Sequence, residues 1–218
     1  MATLAQDIPE FTITVPDELA EKIEVVEVGG AIEVAVLKAV SDLDSKSETG
    51  TTTAFVGKKI ADSSLTAKAK KGDESTIAFN TTKVNTTEIE VKGKGAGTVN
   101  FNTGRINNSS IEFKKNSADS VKFNNGVQLR NVTVDAGKGD DTITFKANTK
   151  LLGNNEITLG SGADVLEVPT EINGKGKITV TDFSKNDTIK VGDDSFSGRD
   201  ILNGNVELPN FIEIEGLD

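Results

Sequence analysis

The chain has 218 residues and a formal net charge of −10, with 24 Lys and Arg against 34 Asp and Glu. It holds no Cys, His, Trp or Tyr, which excludes a disulfide frame, a thiolate metal site and catalysis built on Cys or His. The acidic balance argues against nucleic-acid binding, and no stretch reaches the roughly 18 apolar residues that span a bilayer.

The first residues, Met1 to Asp7, lack the basic start and apolar run of a cleaved signal peptide. That pattern fits an intracellular protein, a virion protein, or one exported without an N-terminal signal. Val15-Pro16-Asp17-Glu18-Leu19 reads as a helix start, with Pro and acidic residues in the first turn. Ile23 to Val28 suits a strand as well as a helix, and Gly29-Gly30 breaks the segment. Ala31 to Leu43 carries apolar residues at 32, 35, 36 and 40, which predicts a second short amphipathic helix. Residues 1–50 therefore read as a mixed or helical cap or assembly element, with a polar linker over 45–53.

Residues 51–195 are organised differently. Phe55, Phe79, Phe101, Phe123 and Phe145 follow one another at steps of 24, 22, 22 and 22, and Val168 and Val191 continue the series at 23. A second register holds Ile89, Ile111, Val132, Ile157 and Ile178, each opening an apolar-polar-apolar triplet. A third sets an apolar residue near an Asn, as in Val84-Asn85, Ile106-Asn107, Leu129 with Asn131, Leu152 with Asn154, and Ile172-Asn173. Alternation over so few residues is a strand pattern, and the Gly, Asn, Asp and Ser between triplets supply turns. Three short strands per 22–24 residues predict an all-β chain, a parallel β-solenoid of about six three-strand coils. Coils stacked about 4.8 Å apart would place the Phe in an inward column and the Asn in a bonded corner ladder. An evenly spaced antiparallel sandwich is the alternative, but it has no reason to return Phe to one phase. Residues 196–218 form a C-terminal cap or tail, with a last strand near Phe211-Ile212-Glu213-Ile214.

The strongest local motif is Ala136-Gly137-Lys138-Gly139-Asp140-Asp141, echoed at Leu159-Gly160-Ser161-Gly162-Ala163-Asp164. Asp187 holds the corresponding place in Thr181-Asp182-Phe183-Ser184-Lys185-Asn186-Asp187. Over roughly residues 131–195 the chain resembles RTX proteins, whose glycine- and aspartate-rich nonapeptides bind Ca²⁺ between coils of a parallel β-roll. The resemblance implies Ca²⁺ held by Asp141, Asp164 and Asp187 with the loops of Gly137, Gly139, Gly160 and Gly162. The departures are that Ala136 and Leu159 stand at the first Gly, the third loop lacks Gly, and one copy occurs per coil rather than two. Read from the residues alone, Asp141 and Asp164 fall one above the other on adjacent coils, where they suit either hard-oxygen ligation or a tight corner. Gly95-Ala96-Gly97 and Asn116-Ser117-Ala118-Asp119 are poorer versions of the same loop.

The Arg supply is Arg105, Arg130 and Arg199, and ordinary solubilising charge accounts for it. No Trp or Tyr is present to stack on sugar rings. The expectation is a non-catalytic, self-assembling extracellular protein of a filament, matrix or surface layer. Its partners would be copies of itself, joined head-to-tail through open coil ends. The RTX resemblance implies export by a type I-like route. The alternatives are a trimeric phage tail-fibre or decoration subunit, and a Ca²⁺-dependent adhesion module.

Overall fold

A computed structural model of the chain describes residues 2–4, 11–28, 31–47, 52–102, 104–114 and 117–217. It is a parallel β-solenoid of seven complete coils, beginning near Ala31, Thr52, Glu74, Ala96, Ser120, Thr142 and Val165. Each coil has three faces. Alternation places every second side chain inward, as in Ala96–Phe101, where Gly97, Val99 and Phe101 are buried.

The first face carries the Phe column. Phe55, Phe79, Phe101, Phe123 and Phe145 are paired in register and buried. Their rings stack at centroid distances of 5.5, 4.7, 5.4 and 4.8 Å. Parallel in-register pairing forces like onto like, so the column follows directly from the repeat. Burying each ring contributes about 1.5–3 kcal/mol. The second face turns Ile60, Val84, Ile106, Leu129 and Leu151 inward. The third turns in Leu65, Ile89, Ile111, Val134, Ile157 and Val180. Here the register differs from an alignment on the first residue of each triplet. Ile111 pairs with Val134 rather than Val132, and Ile157 with Val180 rather than Ile178. A slip of two keeps the same residues inward, so hydrophobic patterning alone does not fix it.

What fixes it is the corner between the second and third faces. Asp42, Asp62, Thr86, Asn108 and Asn131 form a column of left-handed residues, with φ of 56, 48, 48, 47 and 51°. Asn and Asp tolerate this conformation best among residues with side chains. Hydrogen-bonded Asn ladders are present, but of the residues expected in them only Asn131 takes part: Asn107 pairs with Arg130, Asn154 with Lys177 and Asn173 with Lys150. Asn131 Nδ2 donates to Asn108 Oδ1 at 3.0 Å, Asn124 to Asn102 at 2.7 Å, and Asn148 to Asn125 at 3.1 Å.

Two expectations about the N-terminal region are corrected. Ala31 to Leu43 is not a helix. Ala31–Val36 and Val40–Ser41 are strands that pair in parallel with the next coil. Ile32, Val34 and Val36 are buried at a period of two, and this β-branched alternation outweighs the helical spacing. The solenoid therefore starts at Ala31 and not near residue 51, and Asp44–Ser47, read as linker, is a strand. The six coils expected from the periodicity lie between Thr52 and Val180, with this additional coil before them. The proposed break at Gly29-Gly30 and positions 48–51 lie outside the described residues. The expected helix start is a short 3-10 helix, Asp17–Lys22, following Pro16.

Both ends of the first face are closed by reversed strands. Ile23–Val28 runs antiparallel to Ala31–Val36, and Asp194–Ser197 runs antiparallel to Thr188–Val191. Phe11–Val15 lies antiparallel on Asp44–Ser47, with Ala2–Leu4 antiparallel beyond it. At the other end, Ser197 caps helix Gly198–Leu202, and Ile201 of that helix is buried. Ile212–Ile214 is the expected last strand and extends the third face in parallel. The reversed strands therefore mark the ends of the first face, while the third face ends on a parallel strand. No described helix is long and apolar enough to cross a membrane.

Candidate functional site

The Gly-Asp motifs meet at the corner that leads into the first face. Asp119, Asp141, Asp164 and Asp187 form one buried column, one residue per coil. Each Oδ1 accepts the backbone N–H of its counterpart one coil earlier. Gly97 N donates to Asp119 at 2.7 Å, Asp119 N to Asp141 at 2.7 Å, Asp141 N to Asp164 at 2.8 Å, and Asp164 N to Asp187 at 3.1 Å. The two loops that look like poor copies of the motif therefore belong to the same column. Asp187 closes it, because its Oδ2 also accepts from Ser184 N at 2.6 Å.

The glycine loops fit between these carboxylates by direct backbone contact. Gly139 N donates to Ser161 O at 2.9 Å, and Ser161 N to Gly137 O at 3.0 Å. A Cβ on Gly160 would overlap the Gly137 carbonyl, and one on Gly162 the Gly139 carbonyl. These glycines are present so that two backbones can touch. Asp140 Oδ1 accepts from Ala163 N at 2.9 Å, and the two oxygens of Asp182 accept from Leu159 N and Gly160 N, both at 2.7 Å.

Burial dominates the electrostatics. Asp141 and Asp164 are 1% and 0% exposed, and their Oδ2 atoms have no hydrogen-bond partner. Desolvation raises the Asp141 carboxyl to about 7. The Asp119 backbone bond opposes the rise, while the charges of Asp119, Asp164 and Asp140 add to it. Asp164 rises to about 6 for the same first reason, with Asp187, Asp140 and Asp182 as the like charges.

The Ca²⁺ reading requires about six to eight oxygens around one point. The structure brings together all the motif residues, but most of their donors are already engaged. The Asp141 and Asp164 Oδ1 atoms hold backbone N–H groups, and the Gly137 carbonyl accepts from Ser161. Two buried Oδ2 atoms remain, on adjacent coils, and no three acidic groups converge on a metal-sized site among the described residues. The carboxylate oxygens that hold backbone N–H groups serve to join the coils. As folded, the corner is a stacking device.

The three outer faces differ in chemistry. The first presents a hydroxyl row, Thr52, Thr76, Thr98, Ser120 and Thr142. The third balances its charges, with Lys114 bridging Glu90 at 2.9 Å and Glu112 at 3.1 Å, and Lys177 meeting Glu213 at 2.9 Å. The second is cationic. Lys59, Lys83, Arg105, Gln128 and Lys150 occupy one register row, and Asn85, Asn107, Arg130 and Leu152 the next.

The second-face residues line a trough of two parts. A groove of about 320 Å³ runs past Lys83, Asn85, Arg105, Asn107 and Arg130. It shares Gln128 and Leu152 with a groove of about 600 Å³ that continues past Lys150, Asn173 and Lys175. None of Lys59, Lys83, Arg105, Arg130 or Lys150 makes an ion pair among the described residues. Residues 81–86, 104–108, 124–131 and 146–154, which lie on this face and its corners over four coils, include no Asp or Glu.

Reading the Arg residues singly missed this face. The available signal was the recurrence of a long polar side chain at 59, 83, 105, 128 and 150, in steps of 24, 22, 23 and 22. No family model, curated protein or solved structure matches the chain.

Proposed function

We propose that the chain is a non-catalytic structural protein of an extracellular surface or matrix, and that it acts through its long side faces. The observation that carries this reading is the contrast between ends and sides. Reversed strands close the first face at both ends, so a second copy meets no parallel template there. The sides run in register through about seven coils, with a hydroxyl row along part of the first face and a mostly cationic row along part of the second. Head-to-tail filament growth is therefore not part of the reading.

Two further observations support it. The buried polar groups of the Gly-Asp corner are engaged in joining coils rather than aimed at a cavity. The chain also lacks the His and Cys on which most nucleophilic catalysis depends. The extracellular placement and type I-like export rest on the resemblance of residues 131–195 to RTX repeats.

Protease shaving of intact native cells tests the placement. Release of fragments of this chain without lysis is the expected result, and recovery of all of it from the cytosol overturns the proposal. Light scattering of the pure protein tests the role of the ends. A 23.0 kDa monomer is expected. Growing filaments would restore end-to-end assembly, and a stable trimer would favour the virion alternative.

A further inference from the structure

We infer that the second face is a binding surface for a linear acidic polysaccharide, one that carries carboxylate or sulfate groups along its chain. This goes beyond a structural role and rests on observations of its own.

The first is charge segregation. A chain of net charge −10 has gathered Lys59, Lys83, Arg105, Arg130 and Lys150 on one face, without an ion pair among the described residues. Stacking like charges in register is unfavourable in the free protein. On the third face the same spacing is relieved by Glu90, Glu112 and Lys114. The second face has no such ion pair among the described residues. A partner with matching negative charges would supply it.

The second is spacing. In-register coils set Lys59, Lys83 and Arg105 about 4.8 Å apart along the rod, with Lys150 two coils beyond Arg105. A sugar unit in an extended polysaccharide advances by a similar length, so successive acidic groups would meet successive coils. The third is the chemistry between the cations. Asn85, Asn107 and Gln128 line the trough, and amides both donate to and accept from sugar hydroxyls. Arg105 and Arg130 can each hold a carboxylate or sulfate with two parallel N–H bonds.

The absence of Trp and Tyr removes the stacking platform that neutral sugars use, but ionic recognition does not need it. That same absence, with no Phe in the trough, leaves no aromatic ring for a nucleobase to stack on. The overall negative charge further disfavours a polymer as densely charged as duplex DNA.

The test is binding of the full chain to polygalacturonate, measured by titration calorimetry at low salt. Dextran sulfate, neutral dextran and a single-stranded oligothymidylate are run beside it. Binding to polygalacturonate or dextran sulfate, weakened by added salt, is the expected result, and the stronger of the two identifies the acidic group. No binding to either polymer overturns the inference, as does tighter binding to the oligothymidylate or equal binding to neutral dextran.

Two double variants locate the surface. R105Q/R130Q changes the second face and K92Q/K114Q the third, with the same change in net charge. All four positions are exposed, but Lys92 and Lys114 pair with Glu90, so the second variant should melt somewhat lower, and both variants are assayed well below their melting transitions. The first is expected to lose about tenfold or more in affinity, the second less than about twofold. Equal loss in both would reduce the effect to bulk charge and overturn the assignment. Failure here leaves the cell-surface placement standing, because shaving of intact cells does not depend on glycan binding.

Discussion

The buried Asp column predicts a pH dependence opposite in sign to ordinary acid denaturation. The perturbation is Asp164→Asn. In the unfolded chain Asp164 titrates near its ordinary 3.8, and in the fold near about 6. Its proton is held more tightly when folded, so ionisation disfavours the fold. The fold loses stability as pH rises from about 4 to about 6 at this residue, and to about 7 at Asp141. At 1.36 kcal/mol per unit, Asp164 alone accounts for about 3 kcal/mol at pH 8. Asparagine keeps an oxygen to accept from Asp141 N and removes the charge. Its Nδ2 takes the place of an oxygen that has no partner. Any constant cost of seating that amide cancels when two pH values are compared. Urea denaturation at pH 4.5 and pH 8 is the assay. Relative to the parent, the variant is expected to gain about 2 kcal/mol between pH 4.5 and pH 8, because about 1 kcal/mol of the effect is already present at pH 4.5. A variant whose effect is the same at both values, or a parent that gains stability from pH 5 to pH 8, would refute the reasoning.

The other predictions concern how the coils are held. Gly160→Ala places a Cβ against the Gly137 carbonyl at a φ of 92°, and should cost about 3 kcal/mol or more in urea denaturation. Gly72→Ala, at a φ of 91° with open space around it, should cost only about 1 kcal/mol, and equal costs would mean that coil contact is irrelevant. Phe101→Ala opens a gap between Phe79 and Phe123 in a fully buried column and should cost about 3–5 kcal/mol by the same measurement. Because the Asp141 and Asp164 Oδ1 atoms already hold backbone N–H groups, millimolar Ca²⁺ or EDTA should move the melting temperature by less than about 2 °C. A large calcium-dependent rise would show that the loops rearrange into a metal site.

The inward half of the fold was legible in the sequence because parallel stacking repeats it. A Phe every 22 to 24 residues has one simple structural cause, and the column from Phe55 to Phe145 is that cause. The coil from Ala31 to Ser47 was hidden because it lacks Phe. Val34 stands in the column above Phe55, and Ile32, Ala35 and Val36 also satisfy a helical period. The two-residue slip at Val134 was hidden because it leaves the inward pattern unchanged. Asp141 and Asp164 were found by their motif, but a motif does not say which atoms bond. It could not distinguish oxygens turned toward an ion from oxygens turned toward Asp119 N and Asp141 N.

In-register stacking has one consequence that joins the two unusual regions. It puts identical groups beside one another, which favours Phe on Phe and Asn on Asn and disfavours charge on charge. The third face escapes this by placing Lys114 between Glu90 and Glu112. Two places do not escape it. One is the Asp119–Asp141–Asp164–Asp187 column, inside the rod, where a raised carboxyl pKa at Asp141 and Asp164 is the relief. The other is the Lys59–Lys83–Arg105 row, outside the rod, where solvent is free to bring a partner. The inner column holds backbone N–H groups in return for its electrostatic cost, and that function is complete within the chain. The outer row makes no ion pair among the described residues, and an acidic partner is the relief proposed for it.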